Sequence, residues 1–206
     1  MTNLDLLSRI AFIAVLSLLL SNCATQPAPA VTQVALPDEL STPGSLSQAQ
    51  QVEFRAAITE IGKENYKRGI KLLKQLDKQG DFDSVAANLA LAYYKTSQLD
   101  DAKNSVNRAL QINSSNAKAH NLSGLIAMQE GEFPKAEQAF LEALKLDNNY
   151  ALAHYNLALL YDVYYQEIRK AYDHYLRYLV LVEYSDKETM SWVEQLKYSV
   201  EQENTQ

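Results

Sequence analysis

The chain has 206 residues, enough for one domain with a tail, and an apolar fraction of 47% that is ordinary for a folded protein. Lys and Arg number 19 against 25 Asp and Glu, and the resulting net charge of -6 disfavours nucleic-acid binding, which needs a basic face. A single cysteine excludes an intramolecular disulfide and a thiolate metal cage. Six glycines and five prolines are few for the many tight turns that an all-β fold needs.

Residues 1–22 are predicted to be a lipoprotein signal peptide. An apolar run over residues 10–20 is too short to span a bilayer and is typical of a secretory signal. It ends in Leu20-Ser21-Asn22-Cys23, which resembles the lipobox of bacterial lipoproteins. The resemblance implies an acylated Cys23, and the Ala24 that follows implies sorting to the outer membrane of a Gram-negative bacterium, on its periplasmic face. An ordinary signal peptide with an incidental cysteine is the alternative.

Residues 23–49 are predicted to form a lipidated, flexible tether. Four of the five prolines fall here, and the apolar residues show neither helical nor alternating spacing. Proline-rich chains extend by about 3.1 Å per residue, so about 25 residues reach roughly 75 Å. Such a tether would let the folded part work away from the lipid surface.

From about residue 50 onward the sequence repeats with a period of 34 residues and helical apolar spacing. The interval from the first repeat to the second is one residue shorter, at 33 residues. A single-residue insertion after Tyr161 lengthens the last interval to 35. The recurring small residues are Ala90, Ala102, Ala109, Gly124, Ala136, Ala143, Ala158 and Ala171. Small residues are needed where two helices cross closely.

This pattern resembles the tetratricopeptide repeat. The resemblance implies an all-α solenoid of helical hairpins, with four repeats at about 50–82, 83–116, 117–150 and 151–185. Residues 186–206 are predicted to form a capping helix with a frayed tail, preceded by a capping box in which Ser185 is the N-cap.

No catalytic motif is evident, since the sequence holds no glycine-rich phosphate loop, HExxH, CxxC or GxSxG. We therefore predict a non-enzymatic protein without cofactor or metal. His120 and His154 lie 34 residues apart and are expected to form a row. A metal-binding row is one interpretation, but half-buried slots between neighbouring first helices are favoured. His174 is expected to lie outside that row.

Nine of the 13 tyrosines lie between Tyr150 and Tyr184. Three of them are predicted to face the core: Tyr161, Tyr175 and Tyr178. Three others are harder to place in a core: Tyr155, Tyr164 and Tyr165. Residues 151–206 carry nine acidic against five basic residues, so this end is a candidate docking face for a basic partner or, alternatively, a solvated acidic surface.

In the tetratricopeptide family the first helix of each repeat lines a concave groove. The resemblance implies these groove residues: Asn88, Tyr94, Lys95, Lys118, Asn121, Leu125, Met128, Tyr155, Asn156 and Asp162. Asparagine amides can pair with a peptide backbone, which suits a protein or peptide ligand. The alternative is that Asn88, Asn121 and Asn156 tie adjacent first helices together.

The order of signal, acylated cysteine, tether and repeats resembles the pilotin-type lipoproteins of type IV pilus and secretion systems. The resemblance implies a lipid-anchored scaffold that binds a protein partner in the cell envelope and assists assembly of an envelope complex. An adaptor for cell-wall hydrolases or for a periplasmic protease is the alternative. No nucleic-acid partner is expected.

Overall fold

The computed structural model describes residues 46–203, and this part of the chain contains nine α-helices and no strand. The helices are α1 (Gln48–Gly62), α2 (Tyr66–Asp77), α3 (Asp83–Lys95), α4 (Leu99–Ile112), α5 (Ala117–Gln129), α6 (Phe133–Leu146), α7 (Ala151–Leu159), α8 (Ile168–Leu181) and α9 (Lys187–Glu203). A π-helical turn, Leu160–Tyr165, continues α7. The predicted signal peptide, Cys23 and nearly all of the predicted tether lie outside the described residues. The predicted all-α solenoid of helical hairpins with a capping helix is confirmed.

The first eight helices form four hairpins, in which each odd-numbered helix packs chiefly on the even-numbered helix that follows it. First helices of neighbouring hairpins also contact each other, as α3 and α5 do, whereas second helices of neighbouring hairpins have at most marginal contact. The first helices therefore approach more closely and form the inner side of the stack.

Each hairpin turns through one residue in the left-handed conformation. These residues are Glu64 (φ 62°), Ser97 (φ 59°), Gly131 (φ 76°) and Gln166 (φ 56°). They lie 33, 34 and 35 residues apart in turn, so the backbone follows the phase shifts that the sequence predicts.

The insertion after Tyr161 is accommodated by the π-helical turn. A π turn adds one residue to a helix without breaking it. The closing hydrogen bond shows the extra residue, because the Glu132 amide reaches back five residues to the Ala127 carbonyl, whereas the Glu167 amide reaches back six, to Tyr161.

The eight recurring small residues are all buried, and the seven alanines among them are 0% exposed. At Gly124 an added Cβ would lie 2.5 Å from Cε1 of the Phe140 ring, so α5 and α6 approach too closely for even a methyl group. In the first hairpin, a Cβ at Gly69 would lie 2.5 Å from Cγ1 of Ile61. The close helix crossing is thus a physical reason for the small residues.

The helix α1 begins at Gln48, two residues before the predicted start of the repeats. Ser47 is its N-cap, and a capping box forms because the Ser47 amide donates to Gln50 Oε1 (2.9 Å) and the Gln50 amide donates to Ser47 Oγ (3.4 Å). Leu46, just before the cap, is buried.

The N-cap of α9 is Asp186, and the prediction of Ser185 is wrong. The Asp186 carboxylate accepts from the Thr189 amide (3.0 Å), the Thr189 hydroxyl (2.7 Å) and the Tyr178 hydroxyl (3.0 Å). Two carboxylate oxygens satisfy three donors, which one serine hydroxyl could not do. Ser185 Oγ instead donates to the Val182 carbonyl (2.7 Å).

The helix α9 covers the last hairpin as predicted. Thr189, Val193 and Val200 are 3%, 6% and 7% exposed, while the opposite face carries exposed charged residues. It packs on α8 and has at most marginal contact with α7. Within residues 46–203 no helix has the combined length and apolar character needed to cross a bilayer.

Candidate partner-binding site

Nine of the ten predicted groove residues lie on the first helices α3, α5 and α7, and the tenth, Asp162, lies on the π turn. Six of them are half-buried: Asn88, Tyr94, Lys95, Lys118, Tyr155 and Asp162. We call these six the first-helix face. The other four are buried, and for them the structure corrects the prediction.

Asn121 and Asn156 bind each other. The Asn156 Nδ2 donates to Asn121 Oδ1 over 2.9 Å, and both residues are only 2% exposed. The bond joins the first helices of the third and fourth hairpins and satisfies amide groups whose burial would otherwise be costly. This is the alternative arrangement, in which the asparagines tie adjacent first helices together, and it leaves neither amide directed toward a bound peptide.

Leu125 and Met128 are also withdrawn from the surface, at 1% and 6% exposure. The reason is the position of α5, which contacts α3 on one side and α7 on the other, so neighbouring helices cover its flanks. Asn88 remains half-buried, and its Nδ2 donates to the Ser84 carbonyl of its own helix (2.7 Å).

The two histidines of the predicted row play the same structural role. His120 Nε2 donates to the Ser114 carbonyl (2.9 Å), and His154 Nε2 donates to the Asn148 carbonyl (3.1 Å), six residues back in each case. Each ring therefore ties a first helix to the turn before it, and each carbonyl occupies the Nε2 atom of its ring. Among the described residues no three His, Cys, Asp or Glu side chains converge as metal ligands.

His174, expected outside the row, lies against His154, with 3.0 Å between the two Nδ1 atoms. Because His154 carries its proton on Nε2, its Nδ1 accepts from the Nδ1–H of His174. Burial lowers the pKa of both rings, that of His174 to about 4, so the pair is neutral at neutral pH. The two helices of a hairpin pack against each other. The pairing of α7 with α8 could therefore have predicted that His174 lies near His154.

Five side chains from α7, the π turn, α8 and α9 meet at the end of the stack, and we call them the C-terminal corner. They are Tyr155, Asp162, Tyr175, Tyr178 and Trp192. The Tyr155 ring lies 5.7 Å from that of Tyr175 and 5.0 Å from that of Tyr178, and the Trp192 ring lies 6.2 Å from that of Tyr175. Tyr175 and Tyr178 are buried, whereas Tyr155 and Trp192 are half-buried. The corner is thus an aromatic cluster that is open to solvent at two rings.

The prediction that three tyrosines face the core is confirmed. Tyr161, Tyr175 and Tyr178 are buried at 4%, 0% and 7% exposure, as predicted. Of the residues that were harder to place, Tyr164 is exposed and packs on Phe133, with ring centroids 4.3 Å apart. The half-buried Tyr165 lies beside Tyr161.

The C-terminal corner contains one carboxyl group, that of Asp162. Burial raises the pKa of the Asp162 carboxyl, whereas the neighbouring Tyr175 hydroxyl lowers it. The Tyr175 hydroxyl is buried beside that carboxyl, and burial together with the charge of Asp162 raises its pKa. Burial, with the charges of Asp186 and Glu188, raises the pKa of Tyr155 to about 12.

The sequence matches the profile of a known protein family. The sequence profile of the tetratricopeptide repeat protein 21 C-terminal ARM domain matches residues 29–168. The human Superkiller complex protein 3 is 29% identical over 130 residues, which cover 60% of this chain but only 8% of that relative.

Solved structures share the fold. The structure of Pseudomonas aeruginosa pilF aligns with a TM-score of 0.63 at 19% identity, covering 75% of this chain and 70% of that one. YrrB, described as a TPR protein with an unusual peptide-binding site, aligns with a TM-score of 0.54 at 20% identity, covering 71% of this chain and 75% of that one. At these identities the likeness establishes a tetratricopeptide-type helical solenoid and nothing finer.

Proposed function

The chain belongs to the family of the tetratricopeptide repeat protein 21 C-terminal ARM domain, and from this premise we propose that it is a non-enzymatic scaffold that binds a protein partner. The observation that carries the proposal is the first-helix face, where half-buried polar and aromatic side chains follow the inner side of the stack. Such side chains combine contact area with hydrogen-bonding groups, as peptide recognition requires. The description of YrrB as a peptide-binding protein supports the same use of the fold.

The histidines favour a binding role over catalysis. Two of the three ring systems are bonded to turn carbonyls, and His174 is bonded to His154. Within residues 46–203 these bonds leave no histidine paired with a serine hydroxyl, as nucleophilic catalysis by a hydroxyl would need.

We further propose that the scaffold is anchored through Cys23 in the outer membrane, facing the periplasm, and that it assists assembly of an envelope complex of the pilus or secretion type. The lipobox-like residues before Cys23 and the proline-rich residues 23–49 support anchoring on a tether. Acyl chains contribute about 0.8 kcal/mol per buried methylene, so several on one cysteine hold a protein stably.

A Cys23→Ser variant tests anchoring and function together. We expect the tagged wild-type chain to stay in the membrane pellet after a high-salt wash, and the variant to move to the soluble fraction because it lacks the acyl anchor. Affinity capture of the cross-linked wild-type chain from envelope extracts is expected to enrich a pilus or secretion component. Enrichment of a cell-wall hydrolase or a protease would favour the adaptor alternative instead.

The matched control is Thr25→Ser, which changes the tether but keeps the cysteine, and it should fractionate like the wild type. A Cys23→Ser chain that remains in the washed pellet would contradict the anchor. Capture that enriches no envelope protein above an untagged control would contradict the scaffold.

A further inference from the structure

The second helix of the first hairpin, α2, is basic although the chain as a whole is acidic. Helix α2 and its C-cap Lys78 hold five basic residues and one acid, Asp77, whereas α4 and α6 each hold two basic and two acidic residues. Four of the five basic residues are exposed lysines, and we call them the α2 row: Lys67, Lys71, Lys74 and Lys78.

The α2 row lies along one side of its helix. Steps of four, three and four residues bring side chains onto one stripe of an α-helix, and this stripe is about 16 Å long. Gly69, Leu73 and Leu76 are buried on the opposite side, where α2 packs on α1 and α3. The row therefore points away from the helix packing and into solvent.

Nearby carboxylates do not neutralise the α2 row. Among the described residues no carboxylate oxygen lies within 4 Å of any of its four amino groups. Asp77 pairs instead with Arg108 of α4, and Glu60 pairs with Arg68 (3.7 Å). Like charges four residues apart destabilise a helix, so an anionic surface against the row would relieve this repulsion.

Other lysines of the second helices have acidic partners. Lys135, Lys145 and Lys170 each pair with a glutamate three residues earlier. Lys74 is the one member of the α2 row with a ring contact, since its Nζ lies 5.9 Å from the centroid of the Tyr93 ring. The row is thus distinguished from the other exposed lysines by its uncompensated charge.

The chemistry of the α2 row favours a lipid surface over an acidic protein. Protein interfaces depend on buried aromatic or apolar anchors, and none of the large apolar side chains that are exposed in residues 46–203 lies on α2. Lysine ammonium groups act as point charges and need no fixed fork geometry, which suits a layer of mobile phosphate headgroups. Charge complementarity then selects anionic lipid.

The position of α2 in the chain agrees with this occupant. The proposed anchor Cys23 lies 24 residues before Ser47, the N-cap of α1, so the first hairpin is the one nearest the anchor along the chain. An extended tether of that length would hold it within about 75 Å of the lipid. We propose that the α2 row binds the anionic headgroups of the membrane, an inference that takes its membrane from the proposed anchoring.

The α2 row and the first-helix face can be occupied together. The row lies on a second helix, whereas the first-helix face lies on α3, α5, α7 and the π turn. A contact between α2 and lipid would therefore leave the proposed partner surface accessible.

The test measures partition of the full-length chain between buffer and vesicles. All chains carry Cys23→Ser so that no acyl group contributes, and the vesicles are either phosphatidylcholine alone or contain about one third phosphatidylglycerol. A lysine near an anionic surface contributes about fivefold to partition, so four could contribute several hundredfold. We expect the chain to prefer the anionic vesicles by at least about tenfold in about 0.1 M salt.

Raising the salt to about 1 M shortens the screening length from about 10 Å to about 3 Å and should abolish this preference. Replacing all four lysines of the α2 row by glutamine should also abolish it. The melting temperature of this variant should equal or exceed that of the unsubstituted row, because repulsion between like charges is removed.

The matched control replaces four other exposed lysines by glutamine and so changes the net charge equally: Lys135, Lys145, Lys187 and Lys197. This control should keep the preference for anionic vesicles. Loss of the preference in the control to the same extent would show that net charge decides it, and would overturn the site.

A preference that survives replacement of the α2 row, or equal binding of the unsubstituted row to both kinds of vesicle, would also overturn the proposal. If the chain bound both vesicles alike and a photoreactive analogue at position 71 cross-linked an envelope protein, the row would belong to a protein partner instead. These readouts use no acyl anchor. Failure of the anchor is seen separately, as wild-type chain that leaves the washed membrane pellet.

Discussion

Replacing Ala136 by leucine is expected to lower the free energy of unfolding by about 1–3 kcal/mol, the usual cost of overpacking a tight site. Ala136 is 0% exposed at a crossing where even a methyl group on Gly124 would meet the Phe140 ring. In a protein of this size each kcal/mol shifts the melting temperature by about 2–4 °C. Thermal unfolding of the full-length chain, followed by helical circular dichroism, measures the loss.

The control is Gln138→Leu, which adds the same side chain to an exposed position of α6. A surface change of this kind is expected to stay within about 0.5 kcal/mol of the wild type. If Ala136→Leu melted like this control, the close crossing of α5 and α6 would be contradicted.

The second large effect on the free energy of unfolding is expected when either partner of the buried amide pair is removed. Asn121→Ala and Asn156→Ala are each expected to cost about 1–3 kcal/mol, because the remaining amide stays buried without its 2.9 Å hydrogen bond. The double variant should cost less than the sum of the two, because the second substitution removes a group already left unpaired. Denaturant unfolding of all four chains in a double-mutant cycle measures this coupling.

Asn88→Ala is the matched control, since its amide is half-buried and bonds only within its own helix among the contacts described. We expect it to cost less than either buried asparagine. If Asn121→Ala melted like the wild type but weakened partner binding, the asparagine would belong to the groove after all, as the repeat positions alone predict.

The repeat phase could be predicted in detail because it depends on local chain geometry. The intervals of 33, 34 and 35 residues in the sequence recur as the spacing of Glu64, Ser97, Gly131 and Gln166 in the left-handed turns. The insertion after Tyr161 was also predicted, but its π-helical form was not, since one extra residue can be placed in a helix or in a loop.

The surface could be predicted only in part, because exposure depends on neighbouring helices. The repeat position identifies the side of α5 that carries Asn121 and Leu125, yet contacts with α3 and α7 bury both residues. The pairing of His174 with His154 likewise depends on which residues face each other across a hairpin. The repeat period of the sequence does not indicate which residues face each other across a hairpin.

The measurement that tests partner binding on the first-helix face most directly is site-specific photo-cross-linking in the cell envelope. A photoreactive phenylalanine analogue would replace Lys118 or Tyr155 on that face, and Leu141 or Val180 on the second helices, which are 45% and 47% exposed. We predict one shared cross-linked partner from the two face positions and none from the second helices. A partner that cross-linked only from Leu141 or Val180 would contradict the account.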